Sequence, residues 1–231
     1  MRRGMAEALR KARRESRAAV LFTPLDGSAQ RLLDAAGLDL LAMTDPELAA
    51  AGREALRSDR AAVLPWQDRE LLVTPHNPPL RLCVVGAVHI SESLCAMARQ
   101  CGYAVTVIDP RSAFLRPERF PGVELIGEWP QAAFAHLQPD ARTAVVLLTH
   151  DPKIDDPALK AVLSTPAFYI GALGSSRTHA KRLERLAAAG VGEADLARIH
   201  GPAGLSIGAR TPAEIAVSVL AQLTQVLRGG K

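Results

Sequence analysis

From Arg81 onward, short apolar runs alternate with longer amphipathic stretches. The runs fall near 82–85, 104–108, 123–126, 144–149 and 167–170, and the amphipathic stretches near 90–100, 130–137, 156–164, 178–189 and 212–228. An apolar run with no polar alternation, such as "TAVVLLT" at 143–149, predicts a strand covered on both faces. Strand–helix alternation at this spacing predicts a parallel sheet joined by right-handed crossovers. The final helix is announced by Thr211-Pro212-Ala213-Glu214, a capping box with proline at the first helical position.

The first 78 residues carry a different pattern. "AAVLFT" (18–23) predicts a strand and "LDGS" a turn; a short helix is expected near 28–36 and a strand at "LDLLAM" (38–43). In "TDPELAAAGREAL" Asp45 stands as an N-cap, Pro46 at the first helical position and Glu47 in the first turn. "AAVLPWQDRELLVT" predicts two strands around a turn. Pro75, Pro78 and Pro79 in "TPHNPPL" remove donors and disfavour helix, which places a domain boundary there. The expected class is therefore α/β: a small N-terminal α/β domain over 1–78, then a Rossmann-like doubly wound parallel sheet over 79–231.

Composition refines this picture. Aromatic residues are only 4%, so Ala, Leu, Val and Ile must build the core, which suits helices packed on a parallel sheet. The pI of about 9.2 suggests a polyanion partner, but the charge is local. Residues 1–17 hold seven basic side chains against two acidic ones, so the rest of the chain carries −1 of the total +4. That segment predicts a helix with a solvated basic face opposite Met5, Ala8, Leu9 and Ala12, or a contact for an acidic partner protein. No nucleic-acid motif is present, and no apolar run reaches the ~20 residues that cross a bilayer. No secretion signal follows the basic start, and Cys83, Cys95 and Cys101 form no metal-type pair. A reduced, cytoplasmic setting follows, without nucleic acid or membrane partners. No metal site is assigned.

Candidate chemistry collects where the strands end. After the first strand of the larger domain come Gly86 and His89. A dinucleotide fingerprint reads G-x-G-x-x-G; here only Gly86 is present, Val88 stands at the second glycine and Ser91 at the third. A β-branched side chain at Val88 obstructs the backbone approach of a pyrophosphate. Asp109 has the spacing of an acid that grips a ribose diol, while Arg111 could take a 2′-phosphate instead, so NAD and NADP stay undecided. A turn-forming Asp-Pro with a solvated Arg explains the pair equally well. After the fourth strand come His150 and Asp151. His89 and His150 could face each other to share a metal, bind a ligand or move a proton, with Asp151 orienting the imidazole or starting a turn. After the fifth strand, "GALGSSRT" offers Gly171, Gly174, Ser175 and Arg177 for a phosphate, or forms a flexible turn.

The motifs "VVGAVHI", "VTVIDPR", "LTHDPKIDDPAL", "GALGSSRTHAKRLERLAAAG" and "RIHGPAGLSIGARTPAEIAVSVLAQL" occur in this order. Over about residues 79–228 they resemble the C-terminal Rossmann domain of XdhC/CoxI-type proteins. The resemblance implies a maturation factor for a molybdenum hydroxylase of the xanthine or carbon monoxide dehydrogenase type, which binds molybdenum cofactor (molybdopterin) and assists its insertion. It implies a client hydroxylase as partner. The family's first turn commonly reads G-A-G-H-I, from which Val88 departs. Its N-terminal domain usually carries an S-G-G-C segment, and residues 1–78 have none. A companion XdhC-like protein is therefore an expected partner, and a homo-oligomer is expected as well. Two other readings stay open: an NAD(P)-dependent oxidoreductase using His150 as proton donor, and a Rossmann-like interaction module without ligand.

Overall fold

The computed structural model describes residues 3–229. The chain divides into two compact units, Met1–Pro78 and Pro79–Lys231.

The first unit contains α1 (Arg3–Arg14), β1 (Ala19–Pro24), β2 (Arg31–Leu33), α2 (Ala35–Ala42), α3 (Pro46–Ser58), β3 (Ala62–Trp66) and β4 (Arg69–His76). Its sheet is antiparallel, in the order β2-β1-β4-β3. Val20, Phe22, Leu71 and Val73 of the sheet pack against Leu38, Leu41, Leu48 and Ala49 of α2 and α3. Asp45 caps α3 by accepting from the Leu48 amide at 3.0 Å, as its place before Pro46 predicts. Leu9 and Ala12 are the buried positions of α1, whereas Arg2, part of the basic segment, lies outside the described residues. "LDLLAM" is not a strand: it falls in α2, whose N-cap Asp34 accepts from the Gly37 amide, while 31–33, expected as helix, pairs with β1.

The second unit runs β5 (Arg81–Val85), α4 (His89–Gln100), β6 (Ala104–Ile108), β7 (Glu124–Ile126), α5 (Pro130–Leu137), β8 (Thr143–Leu147), α6 (Pro152–Leu163), β9 (Tyr169–Ala172), α7 (Ser176–Ala188), α8 (Glu193–Leu196), β10 (Ile199–His200) and α9 (Pro212–Arg228). All its strand pairings are parallel, in the order β10-β9-β8-β5-β6-β7. Alternate residues face opposite layers. Leu82 and Val84 join Leu94 of α4 and Val219 and Leu223 of α9 on one face. Val85, Val145 and Leu147 join Phe134 of α5, Leu159 of α6 and Leu186 of α7 on the other. Cys83 and Cys95 are buried in these layers, and burial pushes both thiols up to about 12.

Several elements differ from the pattern-based ones. α6 starts at Pro152, four residues earlier than expected, because Asp151 caps it and Pro152 takes the first position. β9 lies two residues later than expected, and this brings Gly171 inside the strand. A Cβ on Gly171 would lie 2.7 Å from the Tyr169 ring, so this glycine meets a packing need rather than forming a turn. A sixth strand, β10, is two residues long and has no counterpart in the apolar pattern. Among the described residues no helix is long and apolar enough to cross a membrane.

Candidate functional site

Successive strands β5-β6-β7 step to one side of the sheet and β8-β9-β10 to the other. The order reverses between β5 and β8, and in such sheets a ligand crevice opens beyond the carboxyl ends at that point.

The turn after β5 is closed upon itself. Gly86 has φ +108°, a left-handed conformation that favours glycine, and a Cβ there would lie 2.7 Å from Thr149 Cγ2. The Gly86 amide donates to Ile108 O at 2.8 Å, Ala87 to Asp109 Oδ2 at 2.8 Å, and Val88 to Ser91 Oγ at 3.3 Å. The Ser91 hydroxyl donates back to Gly86 O. Asp109 is fully buried. Its Oδ1 accepts from the Arg111 amide and Nε, both at 2.9 Å, and its Oδ2 also accepts from Arg111 Nη2 at 2.8 Å. Burial pushes the Asp109 carboxyl up, but the bonds from Arg111 and Ala87 outweigh it and hold the group below its ordinary value. The Arg111 guanidinium also lies over the Phe114 ring, 4.8 Å from its centroid. Both residues expected at a ribose are thus engaged with each other. His89 opens α4 with its side chain 88% exposed and Nδ1 3.5 Å from Glu92 Oε1.

The turns after β8 and β9 are built otherwise. His150 is exposed and holds φ +59°, an uncommon conformation for a residue with a Cβ. Asp151 spends its carboxylate on the Lys153 amide at 2.9 Å as the cap of α6. Gly174 has φ +141°, and a Cβ there would press on Thr178 at 3.2 Å. Ser175 caps α7 by accepting from the Thr178 amide. His150 and Arg177 then line one pocket of about 250 Å³, together with Asp155, Lys181, Arg182 and Arg185. His89, Asp109 and Arg111 are not among its lining residues.

Arg182 and Asp155 form the buried wall of this pocket, each with its side chain 3% exposed. Asp155 Oδ1 accepts from the Thr149 hydroxyl at 2.5 Å, and Oδ2 stands 3.9 Å from Arg182 Nη2. Burial raises the Asp155 carboxyl above its ordinary value despite the Thr149 bond and the Arg182 charge. Burial likewise lowers Arg182, against the pull of Asp155 and Asp156. Arg182 Nη2 donates to Leu173 O at 2.8 Å, but Nε and Nη1 are buried with no partner among the described residues. Arg185 is committed to Asp156 through bonds of 2.6 and 2.9 Å.

The strand-end pattern of the sequence points to His150 and Arg177 but not to Asp155, Lys181 or Arg182. A signal for the arginines exists: Thr178, Arg182 and Arg185 recur at positions i, i+4 and i+7, a polar stripe on one face of α7.

A family model described as the XdhC Rossmann domain matches residues 82–223. The chain is 31% identical over 179 residues to the Escherichia coli K12 protein named Uncharacterized protein YqeB, covering 78% of this chain and 32% of that one. It is 33% identical over 150 residues to Molybdenum cofactor insertion chaperone PaoD of the same organism, covering 65% and 41%. With a Bacillus subtilis 168 protein named as a probable xanthine dehydrogenase subunit it shares 32% identity over 160 residues, covering 69% and 46%. The chain thus spans from about a third to just under half the length of these curated relatives. A crystal structure of a xanthine dehydrogenase from Bacillus halodurans has the same fold, with TM-score 0.59, 18% identity, and coverage of 97% of this chain and 96% of that one. The glycine turn, the strand-end pocket and the order of the motifs all lie within the matched segment: this chain belongs to the XdhC family.

Proposed function

We propose that this chain is an accessory factor in the maturation of a molybdenum hydroxylase. It takes molybdenum cofactor as cargo at the C-terminal strand ends and assists its insertion into the client enzyme. One observation carries the reading: an open pocket at those strand ends gathers His150, Arg177 and Lys181 around a buried Arg182 with unmet donors. Such a surface suits a ligand with an anionic end and a polar heterocycle. The names of two relatives, a molybdenum cofactor insertion chaperone and a probable xanthine dehydrogenase subunit, support the choice of cargo and client. In this reading Arg177 and Lys181 meet the anionic end of the cargo. His150 and His89 serve the pterin or metal end, and Gly86, Gly174 and Ser175 shape the turns. Residues 1–78 hold no cysteine, so the family's S-G-G-C cysteine is assigned to a companion protein.

Titration of the purified protein with molybdopterin tests the proposal. Saturable quenching of its fluorescence with a Kd no weaker than tens of micromolar is expected, roughly 6 kcal/mol of binding. No quenching in that range contradicts it. A nucleotide-dependent oxidoreductase is the second reading, favoured by the strand order β7-β6-β5-β8-β9-β10, which is that of dinucleotide-binding sheets. It requires Asp109 to give up Arg111 and turn toward a ribose. A melting-point rise with NAD or NADP and none with molybdopterin would favour it.

A further inference from the structure

We infer that the anionic end of this domain's ligand is a phosphoryl group seated after β9, against Arg182, and not at the glycine turn after β5. The inference rests on the cargo-binding reading and narrows it to one end of the ligand.

The turn after β5 commits its three leading amides within the fold. In dinucleotide-binding sheets the first turn and the helix N-terminus present free amides to a pyrophosphate. Here the amides of Gly86, Ala87 and Val88 donate to Ile108, Asp109 and Ser91. The partner of Ala87 is a buried carboxylate, itself paired with Arg111, so taking that amide for an anion would break a buried ion pair's hydrogen bond. Val88 adds a branched side chain where close approach is needed.

The pocket after β9 has the complementary character. A guanidinium carries five N–H donors and no acceptor. Arg182 places this group in the protein with two of its three nitrogens unpaired among the described residues. An unmet buried donor costs free energy, and an unpaired buried charge costs more. Asp155 stands too far off, at 3.9 Å, to satisfy it fully. Arg177 and Lys181, one turn apart on α7, stand exposed at the same pocket. With Arg185 neutralised by Asp156, three cations face one carboxylate. Donors on several side chains match the three terminal oxygens of a phosphoryl group better than the two of a planar carboxylate. A volume of about 250 Å³ holds that end of a ligand, while the remainder extends along the rim.

Calorimetric titration of the full chain with pyrophosphate is the test. Wild type is expected to bind; Arg177→Gln and Arg182→Lys each weaken binding at least about tenfold. Asp155→Asn keeps an acceptor for Thr149, removes the opposing charge, and tightens binding several-fold. Lys160→Gln, at an exposed position of α6 outside the pocket, leaves it unchanged. Should Arg182→Lys fail to fold, the double variant Arg177→Gln/Lys181→Gln, at two exposed positions, decides the matter. The inference is overturned by absence of pyrophosphate binding, by unchanged affinity in the Arg177 and Lys181 variants, or by weakening in Asp155→Asn. Repeating the series with molybdopterin, a phosphate monoester, and with NAD, a diphosphate, identifies the source: the ligand whose affinity falls with Arg177→Gln is the one seated there. Molybdopterin quenching that survives in every arginine variant sinks the inference and spares the cargo reading. Pyrophosphate held at Arg182 without any molybdopterin response does the reverse.

Discussion

After β5, Gly86, Ala87 and Val88 hand their amides to Ile108, Asp109 and Ser91, and the carboxylate behind them is saturated by Arg111. After β9, the chain turns through Gly174, caps α7 with Ser175, and buries Arg182 with two nitrogens unpaired among the described residues. Both turns leave the same parallel sheet at the same end. The first resembles a nucleotide-binding turn in sequence and behaves as a structural joint; the second matches no standard phosphate loop and keeps its donors in reserve. Position in a fold therefore marks where a ligand can sit, but hydrogen-bond accounting decides which turn has anything left to give it.

Substitutions should separate the two. Gly86→Ala forces a Cβ into a left-handed backbone position and within 2.7 Å of Thr149, so the loss of unfolding free energy should be roughly 3 kcal/mol in denaturant titration. Asp109→Asn breaks the joint less severely, because Arg111 is partly exposed and rehydrates; a loss of about 2 kcal/mol is expected. This variant also changes the response to acid. The folded carboxyl lies below its unfolded value of about 4, so its stabilisation is complete above that pH and is lost as pH falls toward the folded value. Wild type should lose that increment on acidification, and Asp109→Asn should lack it.

After β9 the expectation reverses. The double variant Arg182→Met/Asp155→Asn removes a poorly paired buried couple, and unfolding stability should move by no more than about 1 kcal/mol. A loss of several kcal/mol would make Arg182 a structural joint like Asp109 and erase the contrast. Smallest of all, His89→Gln at an exposed helix start should stay within about 0.5 kcal/mol of wild type.

The sheet is legible in the sequence because its strands are apolar runs bounded by charged or glycine-containing turns, and α9 because its capping box fixes the start at Pro212. Asp151-Pro152 carries the same cap-and-proline signal as Asp45-Pro46, but the amphipathic stretch alone places the start of α6 at 156, four residues late. "LDLLAM" is not legible: a short apolar run has no period to separate helix from strand, and packing on the first sheet decides it. β10, at two residues, leaves no pattern to read. At the candidate site, Arg177 and His150 can be read from strand-end position alone. The burial of Arg182 cannot, because it depends on Leu173 after β9 and Asp155 in α6, which only the folded chain brings together.

Which of the two turns holds the anion is answered most directly by a crystal structure of the protein soaked with pyrophosphate. A phosphoryl oxygen within hydrogen-bond distance of Arg182 Nε or Nη1, with the Ala87–Asp109 bond intact, is the predicted result. Pyrophosphate seated on the amides of Ala87 and Val88, with Arg182 unengaged, would contradict it.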